Sequence, residues 1–190
     1  MSALGEALGA LGRDLQSCGV PHALVGGLAV SVRTEPRFTR DIDVVAAVAA
    51  EEIDRLGRHL VERGHRIESI LADASGALVA GLRLRGHGVR EDVLLACSGL
   101  EAETCASAEP IEVLPGVVVP VATTPHLLVL ELIAIAERSR TQDRADVEAL
   151  IDAATDDERA AVEALLPRVR SAHGTPPERL VQLWRGVSRG

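Results

Sequence analysis

Leucines at positions 4, 8, 11 and 15 recur at helical spacing, so Ser2–Ser17 reads as an amphipathic helix that Cys18-Gly19-Val20-Pro21 ends. His22–Val25 is a short apolar strand running into Gly26-Gly27, and Leu28–Arg33 a short helix. Asp41–Val48 is rich in β-branched residues and reads as a strand, and Glu51–Arg63 as a helix stopped by Gly64. Three further strands are expected at Arg66–Leu71, Leu78–Leu84 and Val89–Ala96, the last two joined through Gly86-His87-Gly88. Ser98-Gly99 opens a loop or short helix. Ile111–Val113 and Val117–Val121 flank Pro115-Gly116 as another hairpin. Thr124-Pro125 is a cap followed by a first-turn proline that opens an apolar helix through Arg138. Helices from Thr141 or Gln142 to Ala153, Asp156–Leu166 and Pro177–Val187 complete the chain. The order predicts an α/β (α+β) protein: a mixed sheet flanked by helices over residues 1–122, then a helical C-terminal part over 123–190.

Composition narrows the partners. With 190 residues and 47% hydrophobic content there is material for a substantial core, and a net charge of −8 excludes a uniformly basic nucleic-acid surface while leaving a local patch open. No lysine occurs: all 20 basic residues are arginine. The C-terminal segment is locally basic, with Arg168, Arg170, Arg179, Arg185 and Arg189. Phe38 and Trp184 are the aromatic side chains, which argues against reading bases by stacking. Cys18, Cys97 and Cys105 form no zinc spacing and are expected as reduced thiols in a cytoplasmic protein. No signal peptide is expected, and the uncharged runs Leu15–Val32 and Val113–Leu130 contain Pro and Gly, so no membrane span is expected either.

The chemistry concentrates in "VGGLAVSVRTEPRFTRDIDVV". Successive side chains on a strand face opposite ways, so Asp41 and Asp43 share one face while Ile42 and Val44 fill the other. Two neighbouring carboxylates repel unless a cation lies between them, and carboxylate oxygens with phosphate oxygens suit Mg²⁺. Gly26 and Gly27 let backbone approach a phosphate at a helix N-terminus. In "VREDVLLA", Asp92 supplies a third carboxylate, while Glu91 faces the other way. Three such carboxylates fit two-metal phosphoryl transfer with Asp92 as general base. Arg33, Arg37 and Arg40 read either as a solvated loop or as phosphate contacts. Asp143 and Asp146 read as capping and orienting a helix rather than binding metal.

These motifs resemble the nucleotidyltransferase fold of the polymerase-β superfamily: an apolar residue, Gly-Gly, a gap, Asp-x-Asp, and a third acid on another strand. "HALVGGLAVSVRTEPRFTRDIDVV", "DVLLACSGLEAE", "VPVATTPHLLVLELIA" and "RTQDRADVEALI" are similar to AbiEii- or MenT-type nucleotidyltransferases, toxins of bacterial type IV toxin–antitoxin systems, over roughly residues 22–151. The resemblance implies Mg²⁺ held by Asp41, Asp43 and Asp92, with Gly26 and Gly27 along the triphosphate. Arg37 and Arg40 join them as nucleotide-binding candidates. It implies transfer of a nucleoside monophosphate from an NTP to an acceptor, typically the tRNA 3′ end, and a cognate antitoxin as partner. A small-molecule adenylyltransferase and a catalytically degenerate binding protein are the alternatives. One departure stands out. The branch carries a lysine in "LKLLA", and here "LELIA" places Glu131 at that position. Thr124, Glu131 and Arg138 fall along one helical stripe, so Arg138 or Arg140 is a candidate replacement cation.

Overall fold

A computed structural model describes residues 2–73, 76, 78–95, 98–138, 141–171 and 174–188. Cys97 and Arg189, and Arg140 and the Arg138 side chain with them, lie outside the described part. The elements follow in the order α1 (Ala3–Ser17), β1 (His22–Val25), α2 (Gly26–Arg33), β2 (Asp41–Ala46), α3 (Ile53–Glu62), β3 (Arg66–Ala72), β4 (Val79–Gly86), β5 (Val89–Leu94), α4 (Glu101–Ala106), β6 (Glu109–Leu114), β7 (Val117–Val121), α5 (Thr124–Arg138), α6 (Thr141–Ala153), α7 (Asp156–Leu165) and α8 (Pro177–Val187). Most expected elements stand within a few residues of their expected bounds. The differences fall at ends. β2 stops at Ala46 and not at Val48, and α2 starts at Gly26, so the glycine pair forms the first turn of the helix rather than a loop before it.

The seven strands form one sheet in the order β3-β4-β5-β2-β1-β7-β6. The pairs β2–β5 and β1–β7 are parallel and the rest antiparallel. The mixture follows from the chain path: β1 and β2 pair directly, but β5 returns beside β2 only after the β3–β4 excursion. The back face of β2 is apolar, with Ile42, Val44 and Ala46 at most 2% exposed. Helix α1 places Leu8, Leu11 and Leu15 behind the sheet, and α3 adds Leu56 and Leu60. On the front, α2 packs against β1 and β2, and α5 and α6 pack on α2. Buried side chains from both sides of residue 122, from Leu8 to Trp184, belong to one contiguous core.

Ends of helices are closed by local chemistry. Ser2 caps α1 through Gly5 N–H at 3.2 Å. Thr155 and Glu158 form a reciprocal capping box at the start of α7. Among the described residues no helix is long and apolar enough to cross a membrane.

Candidate active site

Register brings the acids together. β2 lies between β1 and β5, and the pairings Val25↔Asp43 and Asp43↔Asp92 set these residues in one row across three strands. Strand neighbours are about 4.8 Å apart, so Asp43 and Asp92 stand side by side on the front face, with Asp41 two residues along. The turn from β1 into α2 meets the same row. Gly26 has φ +62°, a left-handed conformation that favours glycine, and a Cβ there would lie 2.5 Å from Asp43 Oδ2. A Cβ on Gly27 would lie 2.5 Å from Arg37 Nη2. The glycine pair therefore admits the Asp43 carboxylate on one side and a guanidinium on the other.

Cations answer these carboxylates. Arg83, the cross-strand neighbour of Asp92 on β4, grips it with two parallel bonds, Nε to Oδ1 at 2.8 Å and Nη2 to Oδ2 at 2.9 Å. Those bonds hold the Arg83 guanidinium above its ordinary range, and the charges of Asp43 and Asp41 add to the effect. Arg90 pairs with Asp41 at 2.7 Å and approaches Asp92 at 4.0 Å. Asp43 also has a partner. Among the described residues no group of three His, Cys, Asp or Glu is arranged to hold a metal ion. The donor chemistry nevertheless suits one: an all-oxygen carboxylate set, with guanidinium charges now bound to two of its three members.

The arginine cluster dissolves into three separate roles. Arg33 pairs with Glu109 at 2.6 Å and donates to the Ala122 carbonyl, bracing α2 against β6 and β7. Arg37 reaches Asp146 at 2.5 Å and Thr39 at 3.4 Å, and so lies at the glycine turn. Arg40 stands over the exposed Phe38 ring, 5.1 Å from its centroid.

The reading of Asp146 as a helix cap needs correction. It sits in the second turn of α6, is 4% exposed, and accepts from Gln142 at 2.9 Å as well as from Arg37. Its only sequence signal is a carboxylate on the apolar face of α6 beside Val147 and Leu150. Glu131 comes from α5 into the same region. It is 8% exposed and has no hydrogen-bond or ion-pair partner among the described residues. Burial, then the charges of Asp146, Asp143 and Asp43, push its carboxyl up to about 8, with Arg37 opposing. Near neutral pH this shift favours the neutral carboxyl, which does not supply the positive charge of a lysine.

Behind the sheet the strand alternation produces a second polar cluster. Glu91 is fully buried and its Oε2 meets His65 Nδ1 at 2.6 Å, while His65 Nε2 meets Asp14 at 3.2 Å. Burial alone would lower the His65 pKa, but the bonds and charges of Glu91 and Asp14 outweigh it and hold it above 6.5.

A mixed sheet with a helix-starting glycine pair beside an Asp-x-Asp strand and a third in-register acid defines a nucleotidyltransferase fold. The chain belongs to the AbiEii family: residues 10–186 match the sequence model described as "Nucleotidyl transferase AbiEii toxin, Type IV TA system". No curated protein matches it. Among solved structures it is similar to the antibiotic-resistance factor ANT(2″)-Ia, at 16% identity and TM-score 0.62 over 87% of this chain and 92% of that one. It is also similar to a nucleotidyltransferase-like antigen of Paracoccidioides brasiliensis, at 18% identity and TM-score 0.52 over 87% and 88% of the two chains. A third similar structure is the lincosamide adenylyltransferase LnuA, at 15% identity and TM-score 0.51 over 78% and 97%.

Proposed function

We propose that this protein transfers a nucleoside monophosphate from an NTP to a hydroxyl acceptor, RNA in the first instance, with Mg²⁺ as cofactor and in the cytoplasm as the toxin of a toxin–antitoxin pair. The observation that carries the reading is the row of Asp92 and Asp43 across parallel strands, ending on the positive-φ turn at Gly26. Asp41, Asp43 and Asp92 would hold Mg²⁺, which when bound neutralises the triphosphate and stabilises the departing pyrophosphate. The free N–H groups at the start of α2 favour phosphate oxygens, and Arg37 adds a fixed cation beside them. Asp92 accepts the proton of the acceptor hydroxyl as its oxygen bonds to the α-phosphorus and the bond to pyrophosphate breaks. Arg83 must release Asp92 for that role, and Arg90 must release Asp41. Both side chains are about a third exposed, which leaves room for the movement.

The test is incubation with Mg²⁺, each α-labelled NTP and total tRNA. Label in RNA is the expected result. Label in small molecules alone would favour an antibiotic-type acceptor, and no labelling together with no NTP-induced thermal shift would leave a catalytically inert binding protein. Asp43→Asn is expected to lower the rate by on the order of 10³-fold, since each metal-stabilised charge contributes several kcal/mol. A variant as active as the native chain would remove the carboxylate from the mechanism.

A further inference from the structure

Beyond Asp92 the front face of the sheet continues into β4 and β3, and its chemistry changes sign. The register Arg66↔Arg85↔Arg90↔Asp41 forms one row across four strands, and Arg83↔Asp92↔Asp43 forms the next. Alternation puts Leu82, Leu84, Glu91 and Ile67 on the back, where α1 and α3 pack, and puts Arg83, Arg85 and Arg90 on the front. The four arginine side chains are 72% (Arg66), 42% (Arg85), 38% (Arg90) and 35% (Arg83) exposed. A protein of net charge −8 thus gathers four guanidinium groups on one open half-sheet that adjoins its reaction centre. Their counter-charges are few. Glu68 alone serves both Arg66, at 2.8 Å, and Arg85, at 2.6 Å. Arg83 and Arg90 are answered by Asp92 and Asp41, which the proposed reaction needs for itself.

We infer that Arg66, Arg83, Arg85 and Arg90 form the track along which the phosphodiester backbone of an RNA acceptor lies, delivering its 3′ hydroxyl to Asp92. The assignment rests on the nucleotidyltransferase reading of the same site. Three features favour an extended polyanion over a compact ligand. The surface is an open sheet face rather than a pocket. Its cations are spread over three strands: Arg66, Arg85 and Arg90 are cross-strand neighbours about 4.8 Å apart, and Arg83 lies about 6.7 Å along β4 from Arg85, so they can meet successive phosphates. Planar guanidinium groups also bind phosphate oxygens in pairs, which a single carboxylate shared by two arginines leaves unsatisfied. The track lies on the side of Asp92 opposite the glycine turn, so nucleotide and acceptor approach the reaction centre from its two ends. A cationic acceptor of aminoglycoside type would meet repulsion on this approach.

The test uses the full chain and a short 5′-fluorescein-labelled single-stranded RNA with a free 3′ end, with binding followed by anisotropy over a range of salt. The double variant Arg66→Gln/Arg85→Gln loses surface ion pairs of little structural worth, so its melting temperature stays near native. Its RNA affinity is expected to fall at least tenfold at low salt. Its log–log salt slope is expected to shrink by about 1.4, the loss of two phosphate contacts on a single strand. Arg179→Gln/Arg185→Gln, both exposed on α8, is expected to change neither quantity. NTP binding, read separately by thermal shift, is expected to be the same in both variants and the native chain. An unchanged RNA affinity and slope in the β3–β4 variant would overturn the track, as would an equal loss from the α8 variant or a native chain that binds NTP but no RNA. Failure of the native chain to bind NTP would instead strike the underlying nucleotidyltransferase reading.

Discussion

At the scale of single residues, the two glycines make separable predictions. Gly26→Ala forces a side chain into the left-handed region, which costs about 1–2 kcal/mol, and drives a methyl into the Asp43 carboxylate. The variant should melt several degrees lower and lose nucleotide-induced stabilisation. At Gly27 the obstructing atoms are the far end of Arg37, which can swing aside. Gly27→Ala should still fold, losing less stability than Gly26→Ala, because the Arg37 guanidinium can shift while Gln142 keeps its bond to Asp146, a difference readable by comparing melting temperature with nucleotide binding. Glu131 gives a pH prediction. An ordinary carboxyl near 4.5 in the unfolded chain ionises well before the native one near 8. Between those values the native state keeps a proton that the unfolded state has lost, so this group makes stability fall as pH rises across the window. Glu131→Gln should flatten that part of the profile in urea titrations and raise stability at its alkaline end. A variant with the native slope would contradict a buried, neutral Glu131.

At the scale of elements, β5 carries opposite chemistries on its two faces: Arg90 and Asp92 look toward the reaction centre, Glu91 toward His65 and Asp14. The His65 pKa is raised, so its contribution to stability is complete below 6.5 and is lost as pH climbs through the native value. His65→Leu leaves Glu91 buried without its partner and should cost about 3–5 kcal/mol at neutral pH, measured by urea unfolding. The alternation that separates these faces was legible in the sequence, as were the period-3.6 helices, the glycine pair and the three aspartates, because each depends on neighbours within a few residues. That the three acids converge was expected from their pattern and the family resemblance; the register that brings them together was not readable. That Asp43 faces Asp92 depends on β5 inserting beside β2 in parallel, a pairing between residues about fifty positions apart. Arg83 and Arg90 as partners of the acids follow only from that register, and Asp146 enters the site through an arginine 109 residues away. The scarcity of aromatics suggested that stacking plays no part, yet Phe38 stands exposed beside Arg40 at the entrance to β2.

At the scale of the whole molecule, the question is whether the helical C-terminal part stands apart from the sheet. Its packing says that it does not. Helix α5 lies against α2, the helix that starts on the glycine pair, and also against α6, α7 and α8. Trp184 on α8 is 2% exposed and its Nε1 donates to Glu163 on α7 at 3.4 Å. The Arg170 backbone N–H, just past α7, donates to the Ser98 carbonyl at 2.7 Å, tying the far end of the chain to the segment that follows β5. Removing the indole should therefore be felt at the site as well as in the helices. Trp184→Ala is expected to cost about 3–5 kcal/mol and to lower one cooperative unfolding transition rather than split it in two. Near-UV signals cannot report this once the tryptophan is gone, so the measurement is differential scanning calorimetry with and without NTP. A sheet that melts at the native temperature while the helices melt early would show two independent units. A single shifted transition, with nucleotide still raising it, would show that α5 couples the C-terminal helices to α2, the helix that starts on the glycine pair.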